Sequence, residues 1–206
     1  MSNSTLLIEN NLDRLRDAIS VGFEKAASGL SEMVGRKIEV ISPSLRIIAI
    51  EEMPNLLGQA DEAVVAAYVR ISGDITGHIM LIVSLDTADE LVEMLVGPRA
   101  QRASTLDAME QSALGEVANI TGSFFLSALS DATSLFMQPS PPALIMDMIG
   151  AALDVPLAEL ALSAHDALII DTLFISDESR IKGIFLVLPD TGSTRLFVER
   201  LSGQDG

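Results

Sequence analysis

The stretch Ser112-Ala-Leu-Gly-Glu116-Val-Ala-Asn119, within residues 106–142, determines how the chain is organised. Its three polar residues recur at i, i+4 and i+7 in an otherwise apolar run, so they return to one face of a helix. Asparagine is unfavourable in the middle of a helix, because its amide competes for backbone hydrogen bonds. The pattern therefore predicts a long helix with one polar stripe, which is either a solvated surface or a functional site.

The elements predicted around this stripe occur twice, in the order helix, strand, hairpin, helix. The first copy comprises the helix Leu12–Val34 ended by Gly35, a strand region interrupted at Pro43, the hairpin of Ala63–Ser72 and Gly77–Leu85, and a helix at Asp86–Val96 capped by Asp86 or Thr87. The second comprises the helix Thr105–Asp131, a short run at Ala143–Met148, a short helix at Ala151–Leu162, the hairpin of Ala167–Ile175 and Ile181–Leu188, and the helix Ser193–Leu201. A polar connector, Arg99–Ser104, joins them.

A fixed residue offset relates the two copies. Pro43 maps onto Pro142, an offset of 142 − 43 = 99, and the same offset carries Gly29-Leu-Ser31 onto Ala128-Leu-Ser130. A hairpin with one helix buries too little surface to be stable alone. The sequence therefore predicts one α+β domain over residues 1–206 with a pseudo-two-fold internal repeat. Its halves span about 12–97 and 105–203, and two long helices pack on a mainly antiparallel sheet built from two hairpins.

The polar stripe is part of this repetition. The offset of 99 maps Glu116 back onto Asp17 and Asn119 back onto Ser20, so the first long helix carries a stripe of its own. Each stripe keeps the same distance from its downstream proline, since 142 − 119 = 43 − 20 = 23. Solvated surface residues need no such register. The repetition favours a functional face.

Charge and composition exclude several classes of function. The net charge is −16, with 29 acidic and 13 basic residues, so no basic patch is expected that could displace counterions from nucleic acid. Lysine occurs only at Lys25, Lys37 and Lys182. An acidic excess with few lysines is what a salt-rich cytoplasm favours, because salt screens self-repulsion. We therefore hypothesise a halophilic, haloarchaeal source.

Metal chemistry and membrane insertion are not expected either. The chain has no cysteine and only two histidines, His78 and His165, which excludes thiolate chemistry and argues against a histidine-rich metal site. No apolar run reaches the roughly 18 residues of a membrane span. Residues 1–11 lack the features of a signal peptide. We expect a cytoplasmic protein with no metal and no cofactor of its own.

The motif and its context resemble the CheC, CheX and FliY phosphatases of chemotaxis. The pattern of that family is Asp or Ser, Glu four residues later, Asn three further and a proline after a long fixed gap, and it is met by Ser112, Glu116, Asn119 and Pro142. The residues around Val21-Gly22 also resemble the opening of a CheC-type chain, so the similarity extends over the whole sequence. The resemblance implies a phosphatase that hydrolyses the aspartyl phosphate of the response regulator CheY.

The first half departs from the family pattern. Asp17 is one methylene shorter than glutamate, and the Ser20 hydroxyl cannot present the carbonyl and NH2 of a carboxamide. Glu116 and Asn119 are therefore expected to form the competent centre, and Asp17 and Ser20 an inactive, degenerate one.

The resemblance also implies roles and partners. Asn119 would orient the attacking water, and Glu116 would dock a cation of CheY, such as the lysine at its phosphorylation site. Mg²⁺ would belong to CheY. The receptor deamidase CheD is an expected second partner. The alternative is a non-catalytic interaction module that binds CheD or proteins of the flagellar switch.

Overall fold

The computed structural model describes residues 12–50, 53, 61–98, 106–160, 166–176 and 180–202. The elements of the first half are α1 (Leu12–Val34), β1 (Glu39–Ala49), β2 (Ala63–Gly73), β3 (Gly77–Ser84) and α2 (Leu85–Val96). Those of the second half are α3 (Ala108–Thr133), β4 (Met137–Pro139), β5 (Ala143–Met148), α4 (Ile149–Leu160), β6 (Asp166–Ile175), β7 (Arg180–Pro189) and α5 (Thr191–Leu201). The predicted connector Arg99–Ser104 lies outside the described residues.

One antiparallel sheet contains all seven strands, in the order β1-β6-β7-β3-β2-β4, with β5 also paired to β2. The predicted α+β class and the joining of two hairpins in one sheet are confirmed. The halves also exchange strands, because β1 of the first half pairs with β6 and β5 of the second half pairs with β2. Each hairpin is therefore completed by the other half of the chain.

The two proline-containing edge regions correspond strand by strand. β1 is one continuous strand whose register shifts between Ile41 and Ser44, across Pro43, and not the interrupted strand that the sequence predicts. At an offset of 99, residues 39–41 and 44–49 map onto 138–140 and 143–148. The second half is broken there into β4 and β5, on either side of Pro141 and Pro142. Proline has no backbone N–H for a strand ladder, which explains both irregularities.

The long helices α1 and α3 cover one face of the sheet and pack closely on each other. A Cβ added at Gly22 of α1 would lie 3.1 Å from the Phe125 Cα and 3.1 Å from the Ala128 Cβ of α3, so glycine permits this close approach. The Phe23 ring meets Phe185 edge-on, with centroids 5.3 Å apart. This core fixes one side of α3 and leaves the other side to solvent.

The opposite face of the sheet has its own core beneath α4. Ile149, Ala152 and Leu153 pack there against fully buried strand residues such as Met80 and Leu186. None of the helices in the described ranges is both long and apolar enough to cross a membrane.

Equivalent N-caps begin the two short helices. Ser84 caps α2 by accepting a hydrogen bond from Thr87 N at 3.2 Å, so the prediction that Asp86 or Thr87 caps this helix is wrong. Asp190 caps α5 by accepting from Ser193 N at 2.7 Å. The caps are 190 − 84 = 106 residues apart, the same offset that relates Gly77 to Gly183. Side-chain oxygens at these positions satisfy backbone N–H groups that have no partner within the helix.

Asp190 makes the stability of this cap depend on pH. Burial alone raises the pKa of its carboxyl, but hydrogen bonds from Thr76, Ser193 and Gly192 outweigh burial and hold the pKa below the ordinary value of 3.8. A group whose pKa is lower in the folded state stabilises the fold above its unfolded pKa and loses that effect as the pH falls through the folded pKa.

We therefore expect Asp190→Asn to lower the free energy of unfolding at pH 7 by about 0.5 kcal/mol, the usual contribution of a carboxylate at a helix N-terminus. The deficit should shrink as the pH falls from 3.8 through the lower pKa of the folded state, because the wild-type carboxylate is protonated first in the unfolded chain and then in the folded protein. Urea denaturation across that range measures it. Ser84→Ala, the equivalent cap without a titratable group, should cost the same at every pH, and a pH-independent deficit in Asp190→Asn would contradict the assignment.

Candidate functional site

Helix α3 is held at both ends by its own capping groups. Asp107 Oδ1 accepts hydrogen bonds from Met109 N at 2.8 Å and Glu110 N at 2.9 Å, while Glu110 Oε2 accepts from Asp107 N at 2.8 Å. This reciprocal arrangement is a capping box. It starts the helix at Ala108 and not at the predicted Thr105. The helix ends at Thr133, and the following Ser134, which has a left-handed φ of 56°, caps it by donating its N–H to Ser130 O.

The predicted polar stripe lies on the solvent side of α3. Ser112 and Glu116 are exposed and Asn119 is half-buried, whereas the intervening Val117 and Ala118 are buried in the core. The helix is therefore anchored on one side and presents the stripe on the other. This exposure is what a site that acts on another protein requires.

The structure brings Glu116 and Asn119 together but leaves Ser112 apart. Asn119 Nδ2 donates to Glu116 Oε2 at 3.5 Å, a long hydrogen bond between residues one helical turn apart. The Ser112 Oγ instead donates to the Ala108 carbonyl of its own helix at 2.8 Å. The pair thus offers a carboxylate and a carboxamide side by side on an open surface, where a long mutual contact is easily replaced by contacts to a ligand.

The degenerate stripe on α1 has matching exposure. Asp17 is exposed and Ser20 is half-buried, as Glu116 and Asn119 are. Asp17 lines an open depression with Asp131 and two cationic side chains, Arg14 and Arg200. The sequence reasoning missed these arginines, because Arg200 reaches the depression only through the packing of α5.

No metal site is found in the part of the chain that the structure describes, since no three His, Asp or Glu residues there are grouped to hold an ion. His78 is buried and its Nδ1 lies 2.6 Å from the hydroxyl of Tyr68, whose ring is stacked on it. His165 lies outside the described residues. The groups that Glu116 and Asn119 themselves provide are one carboxylate and one carboxamide.

Comparison with solved structures finds the same fold in other proteins. Thermotoga maritima FliY superposes with a TM-score of 0.72 at 16% identity, over 95% of this chain and 98% of that one. FliM from the FliG–FliM complex of H. pylori superposes with a TM-score of 0.66 at 11% identity, over 93% and 98%. At these identities the likeness concerns the fold alone.

Sequence comparison then gives the family. The CheC-like family profile matches residues 109–146, a range that contains Ser112, Glu116, Asn119 and Pro142. The CheY-P phosphatase CheC of Bacillus subtilis is 32% identical over 195 residues, which are 92% of this chain and 93% of that protein. This chain belongs to the CheC-like family, and the resemblance seen in its sequence is confirmed.

Proposed function

We propose that this protein is a phosphatase that hydrolyses the aspartyl phosphate of phosphorylated CheY. The observation that carries the proposal is the pairing of Glu116 with Asn119 on the exposed side of α3. The family relationship supports it, since a relative at 32% identity over nearly the whole chain is a CheY-P phosphatase. CheY would be met in the cytoplasm, which is where we place this protein.

We assign to Asn119 the role of holding and orienting the attacking water. An acyl phosphate is already activated, so its hydrolysis needs a water held in line with phosphorus more than it needs covalent help. The carboxamide of Asn119 can hold that water while remaining uncharged beside the anionic phosphoryl group. Water oxygen bonds to phosphorus, the bond from phosphorus to the aspartyl oxygen breaks, and inorganic phosphate and a free aspartate result. A carboxylate in this position would be repelled by the phosphoryl oxygens.

Glu116 is assigned to docking. It is exposed one turn before Asn119 and forms no ion pair with any residue in the described ranges, so its carboxylate is available to a cation of CheY. The lysine expected at the phosphorylation site of CheY is the partner that we propose. A charge-assisted contact of this kind would fix the register of α3 against the phosphoryl group.

The metal of the reaction is assigned to CheY. Mg²⁺ in an acidic pocket of CheY would neutralise phosphoryl charge, and α3 would add the oriented water from the opposite side. The phosphatase would then need no cofactor of its own.

The alternative is a non-catalytic module that binds CheD or switch proteins. The FliM chain of a FliG–FliM complex has the same fold, so in that protein the fold takes part in assembly. The decay of phosphorylated CheY with Mg²⁺ in concentrated salt distinguishes the two functions. A phosphatase accelerates the decay, and added CheD changes the rate if CheD is a partner. A module that binds CheD without accelerating the decay would reject the proposal.

We also propose that the protein is adapted to concentrated salt. Its net charge of −16 makes self-repulsion large in dilute buffer. The melting temperature is expected to rise by about 5 °C or more between about 0.1 and 2 M KCl, where the screening length falls from roughly 10 Å to a few ångströms. Thermal melts followed by circular dichroism measure this. Equal stability in dilute and molar salt would reject the halophilic hypothesis.

A further inference from the structure

The two centres differ in their electrostatic surroundings as well as in their motif residues. In the first half, the depression at Asp17 is lined by Arg14 and Arg200, and by one further carboxylate, Asp131. Arg14 Nη1 donates to the Leu201 carbonyl at 2.9 Å, which ties this cation to the C-terminal end of α5 beside Asp17. A lysine approaching Asp17 would meet these two arginines, and the carboxylate of Asp131 is already paired with Lys25 at 3.6 Å.

The repeat offsets identify the residues that replace these arginines at the second centre. The offset of 99 between the long helices carries Arg14 onto Ala113, and the offset of 106 between the short helices carries Arg200 onto Met94. Both replacements are uncharged.

The packing agrees with this correspondence. Arg200 lines the first depression with Ala18, and Met94 lines an apolar pocket with Val117, the residue that Ala18 maps onto. Val117 directly follows Glu116 in α3. Met94 therefore packs on the turn of α3 that carries Glu116, at the position equivalent to that of Arg200 beside Asp17.

We propose that Ala113 and Met94 are specificity-determining positions, which keep cations of this protein away from Glu116 and so leave its carboxylate for a lysine of CheY. This inference rests on the proposed function. Residue 113 precedes Glu116 by three, so the two side chains are neighbours on the helix surface. An arginine there would pair with Glu116 and repel an incoming lysine. By the same reasoning, Arg14 and Arg200 close the first centre to CheY even if its motif were restored.

The test is steady-state dephosphorylation of CheY by Ala113→Arg and Met94→Arg, with circular dichroism to verify the fold. Each arginine is expected to raise KM for phosphorylated CheY about tenfold, the size of one charge-assisted contact, and to leave kcat within about twofold. The rise should diminish in concentrated salt, because the added charge is screened.

Two control variants separate the effect of a positive charge beside Glu116 from the effects of side-chain size and of the net charge of the protein. Ala113→Gln adds bulk without charge, and Ser127→Arg adds the charge at an exposed position of α3 about 16 Å beyond Glu116. Both should keep KM within about twofold of wild type. If the wild-type protein is active and Ala113→Arg and Ala113→Gln have equal KM values, this inference is overturned and the proposed function is not. A wild-type protein that does not accelerate the decay would reject the proposed function, and this inference with it.

Discussion

Asn119→Ala is expected to reduce stimulated dephosphorylation of CheY by about 100-fold or more, the usual cost of removing a preorganised group that acts at the reacting atoms. The fold should be unchanged, because Asn119 is half-buried on the solvent side of α3 and the core residues Val117 and Ala118 are untouched. The loss should appear in kcat, since binding through Glu116 remains. Single-turnover decay of phosphorylated CheY at saturating protein measures it.

Asn119→Asp tests the charge requirement at the same position. It keeps the shape but places a carboxylate at the phosphoryl group, so it should be as inactive as Asn119→Ala. The matched controls are Asp17→Ala and Ser20→Ala, at the equivalent positions of α1 with the same exposure. Each should keep turnover within about twofold. A large loss in either control would show that the first centre is active, and unchanged turnover in Asn119→Ala would refute the mechanism.

Glu116→Gln is expected to raise KM for phosphorylated CheY about tenfold with little change in kcat. A charge-assisted hydrogen bond is worth roughly 1.5 to 3 kcal/mol, and the exposure of Glu116 places it at the weaker end of that range. Glutamine keeps an oxygen that can accept from Asn119 Nδ2, so only the charge is lost.

The dependence of KM on salt verifies the assignment of Glu116. The wild-type KM should rise as salt screens the contact, and the Glu116→Gln value should change less. Glu110→Gln is unsuitable as a control because Glu110 is part of the capping box. Asp131→Asn removes one acidic charge from the exposed surface of the same helix, 131 − 116 = 15 residues beyond Glu116, and should leave KM unchanged. A kcat defect in Glu116→Gln with normal KM would reassign this residue to the chemical step.

Periodicity and turn residues in the sequence were sufficient to predict the long helices, both hairpins and the single antiparallel sheet. They could not predict that β1 joins β6 while β5 joins β2, because pairing between distant strands depends on the packing of the whole chain. The start of α3 could have been predicted from the sequence, since Asp107 and Glu110 have the spacing of a capping box. The prediction that Pro43 interrupts the first strand is wrong, because an edge strand tolerates proline at a bulge.

The candidate site could be predicted from the sequence only in part. The spacing of Glu116 and Asn119 puts both residues on one face of the helix. In the structure, Asn119 Nδ2 lies 3.5 Å from Glu116 Oε2 on the exposed side of α3. Their catalytic roles remain a prediction. The arginines at the first centre could not be foreseen, because Arg14 and Arg200 are 186 residues apart and meet only through the packing of α5.

The most direct test is the first-order rate constant for decay of phosphorylated CheY, measured with Mg²⁺ in concentrated salt against increasing amounts of wild-type and Asn119→Ala protein. The wild-type rate should rise and saturate, whereas the rate with Asn119→Ala should stay at the spontaneous value while that variant still binds CheY. The same rise with both proteins would contradict the claim that Asn119 orients the attacking water.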